Sequence, residues 1–449
     1  MNTNNFTTST YIPNKTAKAL PIDMQICQTD YPLDWYQEQF VPYAQAYQAL
    51  PDRDLVTVIS WMQPYVDAAK KHFGDALLLA AHYYMGGEIV RIMQYFGGYV
   101  GDSYQLALAA MREPEKKIIV ESAVHFMAES ISLLANPSQQ VYITNPKSGC
   151  TMEMLAKDFM VQPAFKALNE RYGAENIVPI CYMNTSGRLK AMAGAQNGAV
   201  CTSSNVKKIF EWALKQNKKI LFIPDQHMGE NAAQWLDIPR EKIAYWPAGY
   251  ESQKFSLDDP KISQRFDNAQ LILFASHCGV HTYYEPDMVR YWQQKGYHVL
   301  VHPECRNEVV RQADGWGSTA LLWDFVTQDR ARTKKYAIGT ENHMVKNLRE
   351  DCRRHGIEVV NVSEIPDYPS KKKGCGCATM SRNDPPHLVA VLDLLRQGKV
   401  PEFNRVMPGD VVDEVSGTRQ RLDTAGQEWI TVNARKALEN MILITEGKM

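Results

Sequence analysis

Short apolar runs alternate with helix-type patterns along most of the chain. The nine runs are ALLLAAHYY, KIIVESAVHF, QVYITNPKSGC, IVPICYMNTS, KILFIPDQH, LILFASHC, HVLVHPE, KYAIGTEN and IEVVNVSEI. Such alternation predicts βαβ units with parallel strands. The runs also fall into three sets of three, which indicates an internal repeat. We therefore predict an α/β fold of three similar three-strand parallel domains around a pseudo-threefold axis, with a central active-site cavity.

The same pattern predicts where the domains begin and end. The first seventy or so residues are polar, aromatic and rich in proline, and the last fifty contain the helical stretch EWITVNARKALENMILIT. We expect both ends to be extensions of a three-domain body, because neither carries the repeat. The predicted segments are an N-terminal extension 1–72, α/β domains 73–160, 161–290 and 291–398, and a C-terminal helical extension 399–449.

Charge and composition exclude several classes of partner. The 449 residues include 49 basic and 50 acidic side chains, so the net charge of −1 favours neither nucleic acid nor an anionic membrane surface. The N-terminus has no signal-peptide pattern, and no run approaches the roughly 18 apolar residues of a membrane helix. We expect a cytoplasmic protein that recognises a small molecule at a local site.

Polar residues recur in the same order within each set of strands. A polar triplet ends the first strand, a hydroxyl-bearing turn opens a helix, a histidine follows the second strand and a cysteine follows the third. The residues are His82, Tyr84, Tyr182, Asn184, His302 and Glu304 at the first strands, Ser103, Ser203, Ser318 and Thr319 at the turns, His125, His227 and His343 next, and Cys150, Cys278 and Cys377 last. In parallel α/β units functional groups collect beyond the carboxyl ends of the strands. These groups are therefore expected to face one cavity.

Three converging cysteines are compatible with either of two kinds of metal centre. They suit a zinc ion with a free position, which His281 of the HCGVH motif could close, or a [4Fe–4S] cluster in which one iron has no protein ligand. Two other cysteines, Cys201 and Cys305, have no counterpart in the other repeats, so we interpret them as buried thiols. Cys375 is an alternative to Cys377 as the third ligand.

A family resemblance rests on motifs spread over roughly residues 74 to 397. They are AHYY, GDSYQLA, VHFMAES, SGCTMEMLAKD, YMNTS, CTSSNVKKIFEWA, PDQHMGENAA, HCGVH, VHPEC, GSTALL, IGTEN and CATMSRNDPPHL. In this order the motifs resemble quinolinate synthase, the iron–sulfur enzyme of bacterial NAD biosynthesis. The resemblance implies a [4Fe–4S] cluster on Cys150, Cys278 and Cys377. It favours Cys377 over Cys375 because the family pattern is Cys-x-x-Met.

The resemblance also implies an activity. Family members condense iminoaspartate, supplied by an aspartate oxidase or dehydrogenase, with dihydroxyacetone phosphate to give quinolinate, phosphate and water. The implied catalytic residues are Tyr84, His82, Glu304 and His302. The implied substrate-binding residues are Ser103, Tyr182, Asn184, Ser203, His281, Ser318 and Thr319, of which the hydroxyl-bearing ones lie at helix N-termini, where anions are favoured.

Two other functions fit parts of the sequence. A non-catalytic iron–sulfur sensor of oxygen or redox state would need the three cysteines but has no use for the polar triplets and hydroxyl turns. A zinc lyase acting on a sugar phosphate would use the same residues around a different metal. Metal content separates the zinc enzyme from the other two functions.

Overall fold

The computed structural model describes residues 31–86, 88–366, 376–413 and 419–449. Cys375, the alternative third ligand, lies outside these residues. Three separate parallel sheets form the body of the described chain. Their strands lie within the predicted segments 73–160, 161–290 and 291–398, although the segment boundaries themselves stay a prediction.

The sheets contain four, five and four strands. The strands are β1 (Leu77–His82), β2 (Tyr99–Gly101), β3 (Ile118–Ser122), β4 (Gln140–Ile143), β5 (Ile177–Tyr182), β6 (Ala199–Cys201), β7 (Lys219–Ile223), β8 (Ile243–Trp246), β9 (Leu271–Phe274), β10 (His298–Val301), β11 (Gly315–Trp316), β12 (Lys335–Gly339) and β13 (Glu358–Asn361). Their spatial orders are β2-β1-β3-β4, β6-β5-β7-β9-β8 and β11-β10-β12-β13. A small antiparallel pair, β14 (Val411–Val412) and β15 (Arg419–Gln420), follows them.

Helices connect and cover these strands. They are α1 (Val41–Gln48), α2 (Leu55–Phe73), α3 (Ile89–Tyr95), α4 (Ser103–Arg112), α5 (His125–Leu134), α6 (Thr151–Met154), α7 (Asp158–Tyr172), α8 (Gly187–Ala195), α9 (Val206–Leu214), α10 (Gln226–Trp235), α11 (Pro260–Asn268), α12 (Pro286–Gln294), α13 (Asn307–Gln312), α14 (Thr319–Thr327), α15 (Asn342–Arg353), α16 (Pro385–Arg396) and α17 (Thr424–Thr445). Short 3-10 turns occur at Leu33–Trp35, Glu38–Phe40, Gly74–Ala76, Ala174–Asn176, Arg240–Lys242, Gly249–Gln253, His281–Tyr283, Met380–Arg382 and Glu402–Asn404.

The predicted α/β class with parallel sheets is confirmed, but the prediction of three strands in each sheet is wrong. All nine predicted strands are present. Each sheet gains a short edge strand of two or three residues, β2, β6 or β11, immediately before its hydroxyl turn, and the second sheet also gains β8. The edge strands β2, β6 and β11 were missed because two or three residues are too few to make a recognisable apolar run. Strand β8 is as long as several of the predicted strands and was missed although its IAYW run is apolar.

Two of the strands that carry the predicted site, β1 and β5, are buried along their whole length. In β1 and β5 all six residues are buried, as expected for parallel strands covered on both faces. The first strand of each sheet pairs with the short edge strand on one side and with the second strand on the other. Both neighbours are parallel, so the carboxyl ends of β1, β5 and β10 present their polar triplets beside the hydroxyl turns.

Both ends of the described chain pack onto this body. Helix α2 buries Val58, Met62, Val66 and Ala69 along one face and packs on α16, while α17 packs on α8 and β6. The α8–α17 approach requires a glycine, since a Cβ on Gly194 would lie 1.9 Å from the carbonyl oxygen of Asn433. The terminal segments therefore contribute to the core of the described structure.

Candidate functional site

One cavity collects almost all of the residues that the sequence singled out. It encloses a void of about 620 Å³, including its opening to solvent, and receives side chains from all three sheets. Thirteen of the fourteen predicted site residues line it: His82, Tyr84, Ser103, Cys150, Tyr182, Asn184, Ser203, Cys278, His281, His302, Glu304, Thr319 and Cys377. The exception is Ser318.

Both carboxylate oxygens of Glu304 are hydrogen-bonded inside the cavity. Its Oε1 accepts a hydrogen bond from the Tyr182 hydroxyl at 2.6 Å, and its Oε2 lies 2.8 Å from His281 Nδ1. Burial alone would raise the pKa of Glu304, but the imidazoles of His281 and His302 and these two hydrogen bonds outweigh it and lower the pKa to about 2. Glu304 is therefore an ionised carboxylate inside an almost closed site.

His82 and His302 have the same local geometry at the ends of the first and third sheets. The Nδ1 of each ring accepts a hydrogen bond from the backbone N–H two residues later, at 3.2 Å from Tyr84 and 3.3 Å from Glu304. Burial lowers the pKa of both rings to about 3, and His281 also lowers that of His302. Each ring is thus neutral, with its proton on Nε2, and can donate one hydrogen bond to a bound molecule.

A chain of hydroxyl groups joins Tyr84 to His281. The Tyr84 hydroxyl lies 2.8 Å from both Thr319 Oγ1 and Thr340 Oγ1, and Thr340 Oγ1 lies 3.0 Å from His281 Nε2. Burial and the nearby Glu304 carboxylate raise the pKa of Tyr84 well above its ordinary value. Tyr84 therefore keeps its proton, and the chain holds the Tyr84 and His281 side chains at fixed positions.

Ser318 lies behind the cavity rather than in it. Its hydroxyl accepts from the backbone N–H of Leu321 at 3.3 Å, which caps α14, and it also hydrogen-bonds Asp102. The Asp102 carboxylate accepts from Ser204 Oγ at 3.0 Å as well, so it ties the three hydroxyl turns together. Asp102 itself lines the cavity and was not predicted, although it sits within the GDS motif of the first turn.

The three predicted ligand thiols lie in the same cavity but are not tightly grouped. Burial raises the pKa of Cys150, Cys278 and Cys377, and the charges of neighbouring thiols add to this for Cys150 and Cys278. Among the described residues, their sulfurs do not form a group in which all atoms lie within 4.8 Å of one another. Three sulfurs around one zinc ion would lie about 3.8 Å apart, given zinc–sulfur bonds of about 2.3 Å.

Each of these thiols has one polar side chain within hydrogen-bonding distance. Asn184 Nδ2 lies 3.7 Å from Cys150, His281 Nδ1 lies 3.2 Å from Cys278, and Thr379 Oγ1 lies 3.3 Å from Cys377. The backbone N–H of Cys377 donates to Glu341 Oε1 at 3.0 Å. The surroundings of the three sulfurs are therefore polar and well defined.

Several residues of the repeat do not reach the cavity. Cys201 and Cys305 are fully buried and absent from its lining, in agreement with their interpretation as buried thiols. The histidines that follow the second strands, expected to face the centre, do not line it either; they are His125, His227 and His343. Each lies in the first turn of the helix that follows its strand.

Two further functional candidates were missed by sequence reasoning. Thr340 and Glu341 follow β12 directly, and Glu341 lines the cavity with its side chain fully buried. Their signal was present in the IGTEN motif, because both stand at the carboxyl end of a parallel strand. Instead of these two residues, the nearby His343 was predicted to face the cavity.

No helix in the described ranges is both long and apolar enough to cross a membrane.

Comparison with known proteins supports the resemblance seen in the sequence. The family model described as quinolinate synthetase A protein matches residues 65–410. Quinolinate synthase of Geobacillus kaustophilus is 35% identical over 376 residues, covering 83% of this chain and 96% of the relative. The enzymes of Bacillus velezensis and Bacillus subtilis are each 36% identical, over 77% and 75% of this chain and 89% and 86% of their own lengths. The chain therefore belongs to the quinolinate synthase family.

Proposed function

We propose that this protein condenses iminoaspartate with dihydroxyacetone phosphate to give quinolinate, phosphate and water, using a [4Fe–4S] cluster held by Cys150, Cys278 and Cys377. The observation that carries the proposal is the composition of one cavity. Three thiols, an ionised glutamate, two neutral histidines and several hydroxyl groups line the same space. Membership of the quinolinate synthase family supports the same reaction.

The donor set fits a cluster better than a single ion bound by three cysteines. The sulfurs are spread more widely than a lone zinc ion requires, and a cube of iron and sulfide is larger and is bound by thiolates at separate corners. Their raised pKa values mean that the thiols lose their protons only when a cation compensates the charge. When bound, such a cluster would supply a Lewis-acidic iron to a substrate oxygen.

The side chains supply acid–base chemistry around the substrates. Glu304 is ionised and can accept a proton, while the Nε2–H groups of His82 and His302 can donate hydrogen bonds to a carbonyl or phosphate oxygen. The Tyr84 hydroxyl can donate or relay a proton through Thr319 and Thr340. Because these groups are buried, bound substrate would largely exclude water and strengthen each polar contact.

The hydroxyl turns would bind the anionic groups of the substrates. Ser103 and Thr319 are the first residues of α4 and α14, and both line the cavity together with Thr202 and Ser203. Hydroxyls and free backbone N–H groups at helix N-termini favour carboxylates and phosphates. Tyr182 and Asn184 would contact bound intermediates from the second sheet.

The test is anaerobic purification, iron and sulfide analysis, and an assay for quinolinate on the same sample. We expect about four irons per chain together with quinolinate formation. Four irons without quinolinate would contradict the reaction and favour a sensor, and protein that forms quinolinate with zinc and no iron would contradict the cluster.

Cysteine variants test the ligand set. Cys150→Ala, Cys278→Ala and Cys377→Ala should each lose the iron–sulfur absorption. The matched controls Cys201→Ala and Cys305→Ala should keep it, because both of these thiols lie outside the cavity. A full iron–sulfur spectrum in any of the first three variants would contradict the assignment.

The supply of iminoaspartate by an aspartate oxidase or dehydrogenase, and a cytoplasmic location, stay predictions.

A further inference from the structure

A second, more compact set of metal-binding atoms lies within the cavity. Among the described residues, Cys278, His281 and Glu304 alone bring three ligand atoms within 4.8 Å of one another. His281 Nδ1 lies 3.2 Å from Cys278 Sγ and 2.8 Å from Glu304 Oε2. All three residues line the cavity, and the His281 and Glu304 side chains are almost completely buried.

We propose that the cluster-free protein binds one zinc ion at Cys278, His281 and Glu304, and that zinc and the iron–sulfur cluster exclude each other because both need Cys278. The zinc site itself does not depend on the proposed function. The mutual exclusion of zinc and cluster does rest on the proposed function, because it assumes that Cys278 is also a ligand of the cluster.

The ligand chemistry is typical of zinc sites that keep an open position. Thiolate, imidazole and carboxylate are the three common zinc ligands, and tetrahedral binding would separate their atoms by about 3.4 to 3.6 Å. The present separations of 2.8 and 3.2 Å would need to open by about 0.4 to 0.6 Å. The fourth position would face the cavity, where water or a substrate oxygen can occupy it.

The atoms behind the ligands are also arranged as in zinc sites. A zinc-bound histidine usually donates its other N–H to an oxygen, and His281 Nε2 lies 3.0 Å from Thr340 Oγ1. A zinc-bound carboxylate is usually hydrogen-bonded itself, and Glu304 Oε1 accepts from Tyr182 at 2.6 Å. These contacts fix the orientation of both ligands before any ion binds.

The first experiment titrates zinc chloride alone into cluster-free full-length protein under anaerobic, reducing conditions, with a chromophoric chelator as competitor. We expect one zinc per chain. His281→Ala and Glu304→Gln should each weaken binding at least tenfold, whereas Cys150→Ala and Cys377→Ala should leave it within twofold of the wild type. Equal losses in the Cys150 and Cys377 variants would overturn the proposal, because zinc would then be held by the three cysteines.

A second measurement does not depend on any variant folding. X-ray absorption at the zinc edge of the wild-type protein should give one sulfur and two or more nitrogen or oxygen neighbours. Three sulfurs, or none, would overturn the proposed site.

The exclusion is tested by supplying iron and sulfide to zinc-loaded and to zinc-free wild-type protein. We expect a cluster in the zinc-free sample and at least a tenfold lower yield in the zinc-loaded one. Equal yields would overturn the exclusion while the proposed function stands. Failure of the zinc-free sample to form any cluster would instead contradict the proposed function, and the zinc titration would still decide the zinc site.

Discussion

Glu304 and Glu121 are both buried glutamates of the parallel-sheet domains, yet at pH 7 the first is ionised and the second is mostly protonated. Glu304 follows a strand end and is held by Tyr182 and His281, and its pKa falls to about 2. Glu121 lies within β3, and neither of its carboxylate oxygens has a hydrogen-bond partner in the described structure. Burial alone raises its pKa to about 8. The difference shows that the partners of a buried carboxylate, more than its depth, decide whether it is charged.

The position of Glu121 makes the comparison sharper. It pairs with Ala80 in β1, and the corresponding pairs in the other two sheets are Ile180 with Phe222 and Leu300 with Ile338. Glu121 thus occupies a place where the other sheets carry a large apolar residue. The carboxyl contributes nothing to the cavity, since it is absent from the lining.

The largest effect is expected from removing the charge of Glu304. Glu304→Gln keeps the shape of the side chain but removes the proton acceptor, so turnover should fall about 100- to 10,000-fold. Steady-state assay of quinolinate formation measures this effect. Glu121→Gln is the matched control and should keep near-wild-type turnover; similar losses in both variants would mean that Glu304 acts only through folding.

Replacing Glu121 by an apolar residue should stabilise the protein. The folded-state pKa of about 8 lies above the ordinary value of 4.5, so the native state loses stability as the pH rises between these values. At about 1.4 kcal/mol per pH unit, Glu121→Leu should raise the free energy of unfolding by roughly 3 kcal/mol at pH 7. The gain should shrink as the pH falls to 4.5 and below, because the carboxyl then becomes protonated in the unfolded state as it already is in the folded state.

Denaturant unfolding at pH 5 and pH 7.5 checks this prediction. Glu121→Gln should also remove the pH dependence but give a smaller gain, because an unpartnered amide replaces the carboxyl. A Glu121→Leu gain of the same size at both pH values would show that Glu121 does not titrate in this range.

Removing one hydrogen-bond partner of Glu304 should reduce the difference in pKa between Glu304 and Glu121. Tyr182→Phe deletes the hydrogen bond to Oε1, and a hydrogen bond to a charged group contributes about 1.5 to 3 kcal/mol, so turnover should fall at least about tenfold. Tyr245→Phe is the control, because it removes a similar bond of 2.9 Å to Glu230 outside the cavity. Unchanged turnover in Tyr182→Phe would contradict a supporting role for this hydroxyl.

The smallest effect is expected from removing a hydrogen bond to a cysteine sulfur rather than to a carboxylate. The Thr379 hydroxyl lies 3.3 Å from Cys377 Sγ, and hydrogen bonds to ligand sulfurs raise the reduction potential of a cluster. Thr379→Val should therefore lower the potential at unchanged iron content, as measured by a redox titration followed by electron paramagnetic resonance. Thr379→Ser should restore the wild-type potential. Equal potentials in the wild type and both variants would mean that this hydrogen bond does not affect the reduction potential.

Much of the fold and of the site could be predicted from the chain alone. Apolar runs identified nine of the thirteen strands in the three described parallel sheets, and the rule that polar groups gather at strand ends named twelve residues that line one cavity, where His281 of the HCGVH motif joins them. The rule failed for Ser318, which caps a helix and binds Asp102, and for the histidines after the second strands. Whether such a residue lines the cavity depends on how its helix packs against the other sheets, and a local sequence pattern does not specify that packing.

The sequence by itself determined the alternation of strands and helices and the repeated order of polar residues. These features follow from local hydrophobic periodicity and residue type. Only the tertiary structure decided the charge of Glu304, the neutral form of His82 and His302, and the compact group of Cys278, His281 and Glu304. Each of these depends on burial and on distances between segments far apart in the chain, and such distances are set by the packing of whole sheets.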